Sequence, residues 1–423
     1  MERARRIEGH LRGNKVNLQA NFCSAPNFAQ SDEDVVIVAA KRTPICKAKR
    51  GSFKDTSHSD LLNAALHAVL KDGGVRPDQV QDICVGNVLR PGSGANDFRM
   101  AQLFGGFPET VPLTTCNRQC SSGLQAVMNI VGSIRAGQID IGIGAGVESM
   151  SIDSMGAAAN MAIHPKVFEH ETAVQCLLPM GMTSENVAER YGITRQQQDE
   201  MAVRSHANAA KAQNNGLFDN EIVPVKTVLI GKDGEEKEVI VSKDDGVREG
   251  TNLSILGKLR AAFKENGSTT AGNSSQVSDG AAAVLLARRN VARKLGLPIL
   301  GVVRSYAVEG VRPDVMGIGP AVAIPSALKK LSLNINDIEI YEINEAFASQ
   351  ATYCVDKLGI PAEKVNPKGG AIALGHPLGC TGARQISTLL HELKRRGKRG
   401  LGVVSMCIGT GMGAAAVIEY PGN

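Results

Sequence analysis

A chain of 423 residues with 46 glycines, 10 phenylalanines, 5 tyrosines and no tryptophan is too long for one ordinary core, and its runs of small residues point to two or three domains of roughly 100–150 residues each. A formal charge of +5 spread among interleaved acids, with no basic run set among aromatics, excludes a nucleic-acid surface and suits an anionic small-molecule ligand. Nine scattered cysteines without paired CxxC knuckles point away from a disulfide frame and from zinc, and no apolar run reaches the ~20 residues of a membrane span.

Residues 1–33 form a separate extension, because Arg3, Arg5, Arg6, Arg12 and Lys15 precede a polar stretch with no hydrophobic periodicity. Val35–Ala40 then predicts a buried strand, turned by Arg42-Thr43-Pro44. Asp60 is the expected cap of a helix over Leu61–Leu70, which Gly73-Gly74 ends. A helical turn at Pro77–Val80 and a strand at Ile83–Val88 follow, and this alternation of strand and helix predicts an α/β sheet.

The stretch Asn117-Arg118-Gln119-Cys120-Ser121-Ser122-Gly123 runs into the apolar segment Leu124–Val131, which places a cysteine at the mouth of a helix. Free N–H groups and the partial positive charge there would favour a thiolate, moving the thiol from about 8.5 into the ~3.5–7.5 range. The alternative is a small buried hydrophobe.

A glycine-rich strand ends at Gly146-Val147-Glu148-Ser149-Met150-Ser151, and its ending is echoed by Ser405-Met406-Cys407. The continuation Gly413-Ala414-Ala415-Ala416-Val417 is matched only at Gly280-Ala281-Ala282-Ala283-Val284. Ile299–Val303 echoes Val35–Val38, and Asp337–Ile340 echoes Asp82–Val85. Two related α/β halves follow, the first interrupted by an insertion. The expected division is 34–151 and 273–296 for the first half, 152–272 for the insertion and 297–423 for the second half. The insertion is the more solvated part, with a polar helix over Arg195–Ala210 and a lysine-rich, turn-rich segment over Lys226–Lys264. A site at the junction of the halves is the default for strand ends and helix starts of this kind.

In the second half, Asn344 follows a strand within Tyr341-Glu342-Ile343-Asn344-Glu345-Ala346-Phe347, as a site residue or a helix cap. His376, locked between Gly375 and Pro377 in a glycine-dense loop, is the best general-base candidate. Cys407 stands at a strand end before Gly409-Thr410-Gly411-Met412-Gly413. That run fits a dinucleotide pattern, but the chain stops before an acidic partner, so the glycines instead suit backbone N–H groups approaching a carbonyl oxygen.

These four motifs, in this order, resemble the thiolase family over about residues 34–423. The resemblance implies an α/β thiolase fold: two repeated halves, each with a mixed, largely parallel sheet, an inserted loop domain that helps bind coenzyme A, and a homodimer. Within the family the chain most resembles the peroxisomal branch that cleaves 3-ketoacyl-CoA, with CoA as a substrate and no cofactor or metal. By motif, Cys120 would be the nucleophile, His376 its activator, Asn344 the holder of a water at one oxyanion hole, and Cys407 the acid and base. The N–H groups of Cys120 and Gly409 would form the second oxyanion hole, and Ser275, Ala346, Phe347 and Met180 would lie along the pantetheine. Pro179 replaces the histidine common in biosynthetic acetoacetyl-CoA thiolases, which points away from that subclass. Arg3-Ala4 and His10-Leu11 have the spacing of a peroxisomal address read by an import receptor, although Ala4 replaces a bulkier residue. Claisen condensation and a non-catalytic acyl-CoA carrier are the rival readings. Cys176 would be a redox partner of Cys120 only in an oxidised form.

Overall fold

Small apolar side chains let the central strands bury both faces. The computed structural model describes residues 28–155 and 162–422, so the N-terminal address at Arg3 to Leu11 lies outside the described residues. The strands are β1 (Val35–Arg42), β2 (Cys46–Lys47), β3 (Asp82–Gly86), β4 (Leu113–Cys116), β5 (Ile141–Ser149), β6 (Val225–Ile230), β7 (Glu236–Val241), β8 (Ser278–Arg288), β9 (Gly301–Gly310), β10 (Ile340–Ile343), β11 (Gly400–Ile408) and β12 (Met412–Tyr420). Along β8, Ala281, Ala283, Leu285 and Ala287 enter one apolar core, while Ala282, Val284 and Leu286 enter another. Period-2 alternation between two dry cores is why the strand reads as an unbroken apolar run.

The sheet order is β10-β11-β12-β9-β1-β8-β5-β3-β4, with β2 beside β8. Its middle is a short seam, since β1 and β9 pair only at Val36 with Val302 and Ile37 with Gly301. Outward from the seam, β1-β8-β5-β3 and β9-β12-β11-β10 repeat the same directions: antiparallel, antiparallel, parallel. The edge strand β4 adds a further parallel pair with β3.

Strand pairing also sets the register of the repeat. Gly280 faces Glu148 in the first half, and Gly413 faces Cys407 in the second. The counterpart of Cys407 is therefore Glu148, not Ser151 as the Ser-Met-Ser echo suggests. The same register aligns Asn87 with Asn344, because Gly86 pairs with Gly146 as Ile343 pairs with Ser405. The echo of Asp82 at Asp337 is out of step for the same reason: hydrogen-bonded partners, not matching strings, carry the repeat.

Helices Ser122–Arg135 and Thr381–Arg396 fill the space between the two strand sets and share one core with both. Helices His58–Gly73 and Ala95–Phe104 cover the outer face of the first set, and Gly319–Lys329 and Ala348–Leu358 that of the second. The first of these starts earlier than expected: Ser57 is its cap, accepting the Asp60 N–H at 3.1 Å, and Asp60 sits in the first turn. Ser57 has the extended backbone that lets a short side chain reach that N–H.

Between β5 and β8 the chain leaves the sheet for helices Met180–Tyr191 and Arg195–Asn214 and the hairpin β6–β7, which occupies part of the lysine-rich stretch expected to be turns. This polar region is keyed to both halves by a buried ionic cluster. Arg42 donates to Glu221 at 2.7 Å and to Asp244 at 2.7 and 2.9 Å. Lys368 and Thr388 of the second half donate to the same Glu221 at 2.7 and 2.9 Å.

Candidate active site

After β4 the chain must turn sharply before it can begin a helix. Asn117 makes the turn by accepting the Gln119 N–H on its side-chain oxygen at 2.9 Å, and Gln119 takes a φ of 48°. A non-glycine residue holds that left-handed conformation at a cost of roughly 1–2 kcal/mol, a strain that surrounding structure must over-determine. Ser122 supplies part of that support: its hydroxyl accepts the Arg118 N–H at 2.9 Å and donates to the Gln119 carbonyl at 2.7 Å. The helix itself starts at Ser122, so Cys120 lies just ahead of it.

The backbone N–H groups of Gly409 and of Cys120 itself favour the charged form of the Cys120 sulfur. Burial outweighs them and, with the charge of Glu148 nearby, pushes the thiol up to about 11. That direction runs against the expected helix-start thiolate. Cys120 precedes the first turn, and its enclosure costs the charged form more than two N–H donors return. A resting thiol needs a base.

His376 is 4% exposed, and its N–H donates to Gln276 O at 3.0 Å after Gly375, whose φ of 109° fits glycine. The Thr381 hydroxyl lies 2.5 Å from His376 Nδ1 and donates its own proton to Pro377 O at 3.0 Å. It therefore accepts from Nδ1–H, which assigns the proton to Nδ1 and leaves the Nε2 lone pair as the base. Asn344 Nδ2 approaches Nε2 at 3.3 Å. Burial, helped by the charge of Arg384, holds the imidazole down at about 3, so it rests neutral with its Nε2 lone pair free of a proton.

Asn344 stands at the end of β10 rather than capping a helix, since the cap of Ala348–Leu358 is Phe347. Its Oδ1 is buried and finds no hydrogen-bond partner among the described residues. An orphaned amide oxygen beside an imidazole is a place for a water. Cys407 is fully buried at the end of β11, and burial, with Cys120 and Cys354 adding, raises its thiol well above the ordinary range.

The remaining expected residues converge on the same place. A Cβ built on Gly409 would be 3.7 Å from both Gln119 and the Met180 sulfur. Ala346 and Cys407 share a small apolar cluster with Met180 and Phe347. Ser275 donates its N–H to Ala346 O at 3.0 Å, and Phe263 meets Phe347 edge-on with centroids 6.2 Å apart. His376 is brought into this group through Asn344.

Glycines allow the halves to close over the site. A Cβ on Gly146 would lie 1.9 Å from Gly379 O, and one on Gly123 would lie 2.5 Å from it. Glu148 locks this contact by accepting from Asn87 Nδ2, Leu89 N, Val88 N and Gly379 N at 2.9–3.1 Å. By the repeat, Gly379 is to Glu148 what Cys120 is to Cys407. Only one of the two equivalent positions carries thiols.

The thiolase N-terminal domain matches residues 35–290 and the thiolase C-terminal domain residues 297–420. The chain belongs to the thiolase family. It is 64% identical to 3-ketoacyl-CoA thiolase A, peroxisomal, of Mus musculus and 61% identical to 3-ketoacyl-CoA thiolase, peroxisomal, of Homo sapiens, with 100% of each chain covered in both cases. The crystal structure of the dimeric peroxisomal thiolase of Saccharomyces cerevisiae matches with a TM-score of 0.87 at 49% identity, covering 93% of this chain and 98% of that one. Human mitochondrial 3-ketoacyl-CoA thiolase in complex with CoA matches with a TM-score of 0.81 at 38% identity, covering 92% and 98%.

In this thiolase, sequence reasoning missed the roles of Glu148, Phe263, Gln350 and Thr381. Thr381 follows His376 by about one helical turn, a readable signal; the others are brought in by tertiary contacts alone.

Proposed function

We propose that this thiolase cleaves 3-ketoacyl-CoA with CoA, giving acetyl-CoA and an acyl-CoA shortened by two carbons, through a thioester on Cys120. The observation that carries this reading is that Gly409 packs against Gln119, the neighbour of Cys120, and against Met180, which shares an apolar cluster with the second thiol, Cys407. His376 Nε2 takes the Cys120 proton, and the thiolate attacks the 3-keto carbon, whose developing oxyanion accepts the Cys120 and Gly409 N–H groups. Collapse breaks the C2–C3 bond. Its electron pair leaves as the acetyl-CoA enolate, whose oxygen is met by protonated His376 and a water on Asn344 Oδ1, and whose carbon takes the proton of Cys407. The Cys407 thiolate then deprotonates incoming CoA, which attacks the thioester and releases Cys120 to recover its proton from His376.

Ser275, Ala346, Phe347 and Met180 would guide the pantetheine, with residues 152–272 as the inserted domain that helps bind CoA. A homodimer is supported by β4, an edge strand paired on one side, and by the neighbouring exposed Met100, Leu103 and Phe104. Peroxisomal residence, through an import receptor reading Arg3 to Leu11, agrees with the names of the relatives. The test is turnover of a medium-chain 3-ketoacyl-CoA with CoA, beside acetoacetyl-CoA. Cys120→Ala should abolish both. Retained turnover would overturn the mechanism, and strong preference for condensing acetyl-CoA would favour the biosynthetic reading.

A further inference from the structure

Gln350 lies on the helix Ala348–Leu358 and is fully buried. As placed, Cys407 Sγ donates to its carboxamide Oε1 at 2.9 Å. That oxygen would then face the Asn344 main-chain oxygen, acceptor against acceptor. With the amide turned over, Nε2 donates to Asn344 O at 3.2 Å and the oxygen accepts the Ala351 N–H at 2.6 Å. The satisfied orientation thus puts an NH₂ group against the Cys407 sulfur. One of its hydrogens goes to Asn344 O, and the other is free for the thiol. The rest of the sulfur's surroundings are apolar: Met316, Ala346, Met180 and Phe347. The titratable groups facing it are Cys120 and Cys354.

We propose that Gln350 is the positioning residue for Cys407: its amide donates one N–H to the Asn344 main chain and the other to the Cys407 sulfur, tying the second thiol to the oxyanion-site asparagine. The proposal rests on the thiolytic reading above. Cys407 must cycle between thiol and thiolate, giving its proton to the enolate carbon and recovering one from CoA. A donor aimed at sulfur stabilises the thiolate half of that cycle, which its apolar neighbours oppose. The tie to Asn344 keeps the S–H over the carbon whose oxygen Asn344 helps to hold.

The step that isolates Cys407 is exchange of acetyl-CoA methyl protons with deuterated water, for which the Cys407 thiolate is the base. Gln350→Met should slow this exchange by about 10- to 100-fold, the loss expected for a hydrogen bond to a charged group, and should move its pH midpoint upward. Alkylation of Cys120 by iodoacetamide, located by peptide mass mapping, should stay within about twofold of wild type. The near-isosteric Gln350→Glu places a carboxylate against Asn344 O and the sulfur, so its exchange should fall further as pH rises. Exchange within twofold of wild type in either variant overturns the proposal. Equal loss of exchange and of Cys120 alkylation also overturns it, because that is the mark of general packing damage. If the wild-type protein itself shows neither exchange nor thiolysis, the thiolytic reading has failed first, and the two failures are thereby told apart.

Discussion

Replacing Gly146 by alanine tests the junction on which the site depends. The added methyl would fall 1.9 Å from the main-chain oxygen of Gly379 and 3.1 Å from Gly123 Cα. Neither neighbour is the tip of a flexible side chain. To reach the 3.4 Å of ordinary contact, the strand and the His376 loop must separate by about 1.5 Å. Overpacking of that kind destabilises by roughly 1–3 kcal/mol. The displacement also moves Gly379 from Glu148 and His376 from Asn344, and a misplacement of about 1 Å costs on the order of 100-fold in rate. The assay is thiolysis kinetics beside urea unfolding of the same preparation. The expected result is a lowered urea midpoint with kcat down about 100-fold at temperatures where the variant stays folded. A folded Gly146→Ala variant with wild-type kcat would refute the claim that this contact holds His376 in place.

Thr381→Val should lower kcat by about 100-fold by releasing the Nδ1 proton to the wrong nitrogen, while Thr381→Ser restores most of it; equal activity in both would contradict the tautomer assignment. Because burial pushes the Cys120 thiol to about 11 and holds His376 at about 3, iodoacetamide alkylation should rise about tenfold per pH unit from pH 6 to 9. A plateau already reached by pH 8 would show a standing thiolate instead. Glu221→Gln should cost about 3–5 kcal/mol by leaving buried Lys368 and Arg42 undercompensated, measured by denaturant unfolding. Burial pushes the Glu221 carboxyl up, but Lys368 and Arg42 pull harder and hold it at about 2, against an ordinary 4.5. Its stabilisation is therefore present above pH 4.5 and lost as pH falls toward 2, and the variant should lack that part of the acid sensitivity.

The two-half architecture was legible because strands buried on both faces must be written in small apolar residues, and β5, β8, β11 and β12 are. The register of the repeat was not legible. Ser149-Met150-Ser151 resembles Ser405-Met406-Cys407 as a string, yet strand pairing sets Glu148 against Cys407. The site residues on glycine-rich turns announced themselves, since a histidine between Gly375 and Pro377 has little purely structural reason to be there. Glu148 and Gln350 gave no such plain sign, since neither stands in a glycine- or proline-bounded turn. Gln350 did carry a faint one: it lies on the helix face of Phe347 and Cys354, an apolar stripe where a glutamine needs a buried partner. For the Cys120 thiol, a helix start is visible in sequence, whereas the burial that pushes the thiol up is made only by the folded chain.

The central claim is a thioester on Cys120. Mixing the protein with a 3-ketoacyl-CoA in the absence of free CoA, quenching in acid and mapping peptides by mass would test it directly. The expected result is one acyl group on the peptide carrying Cys120, released acetyl-CoA in equal amount, and discharge of the acyl group when CoA is added. Acetyl-CoA release with Cys120 unmodified, or with the acyl group on Cys407, would contradict it.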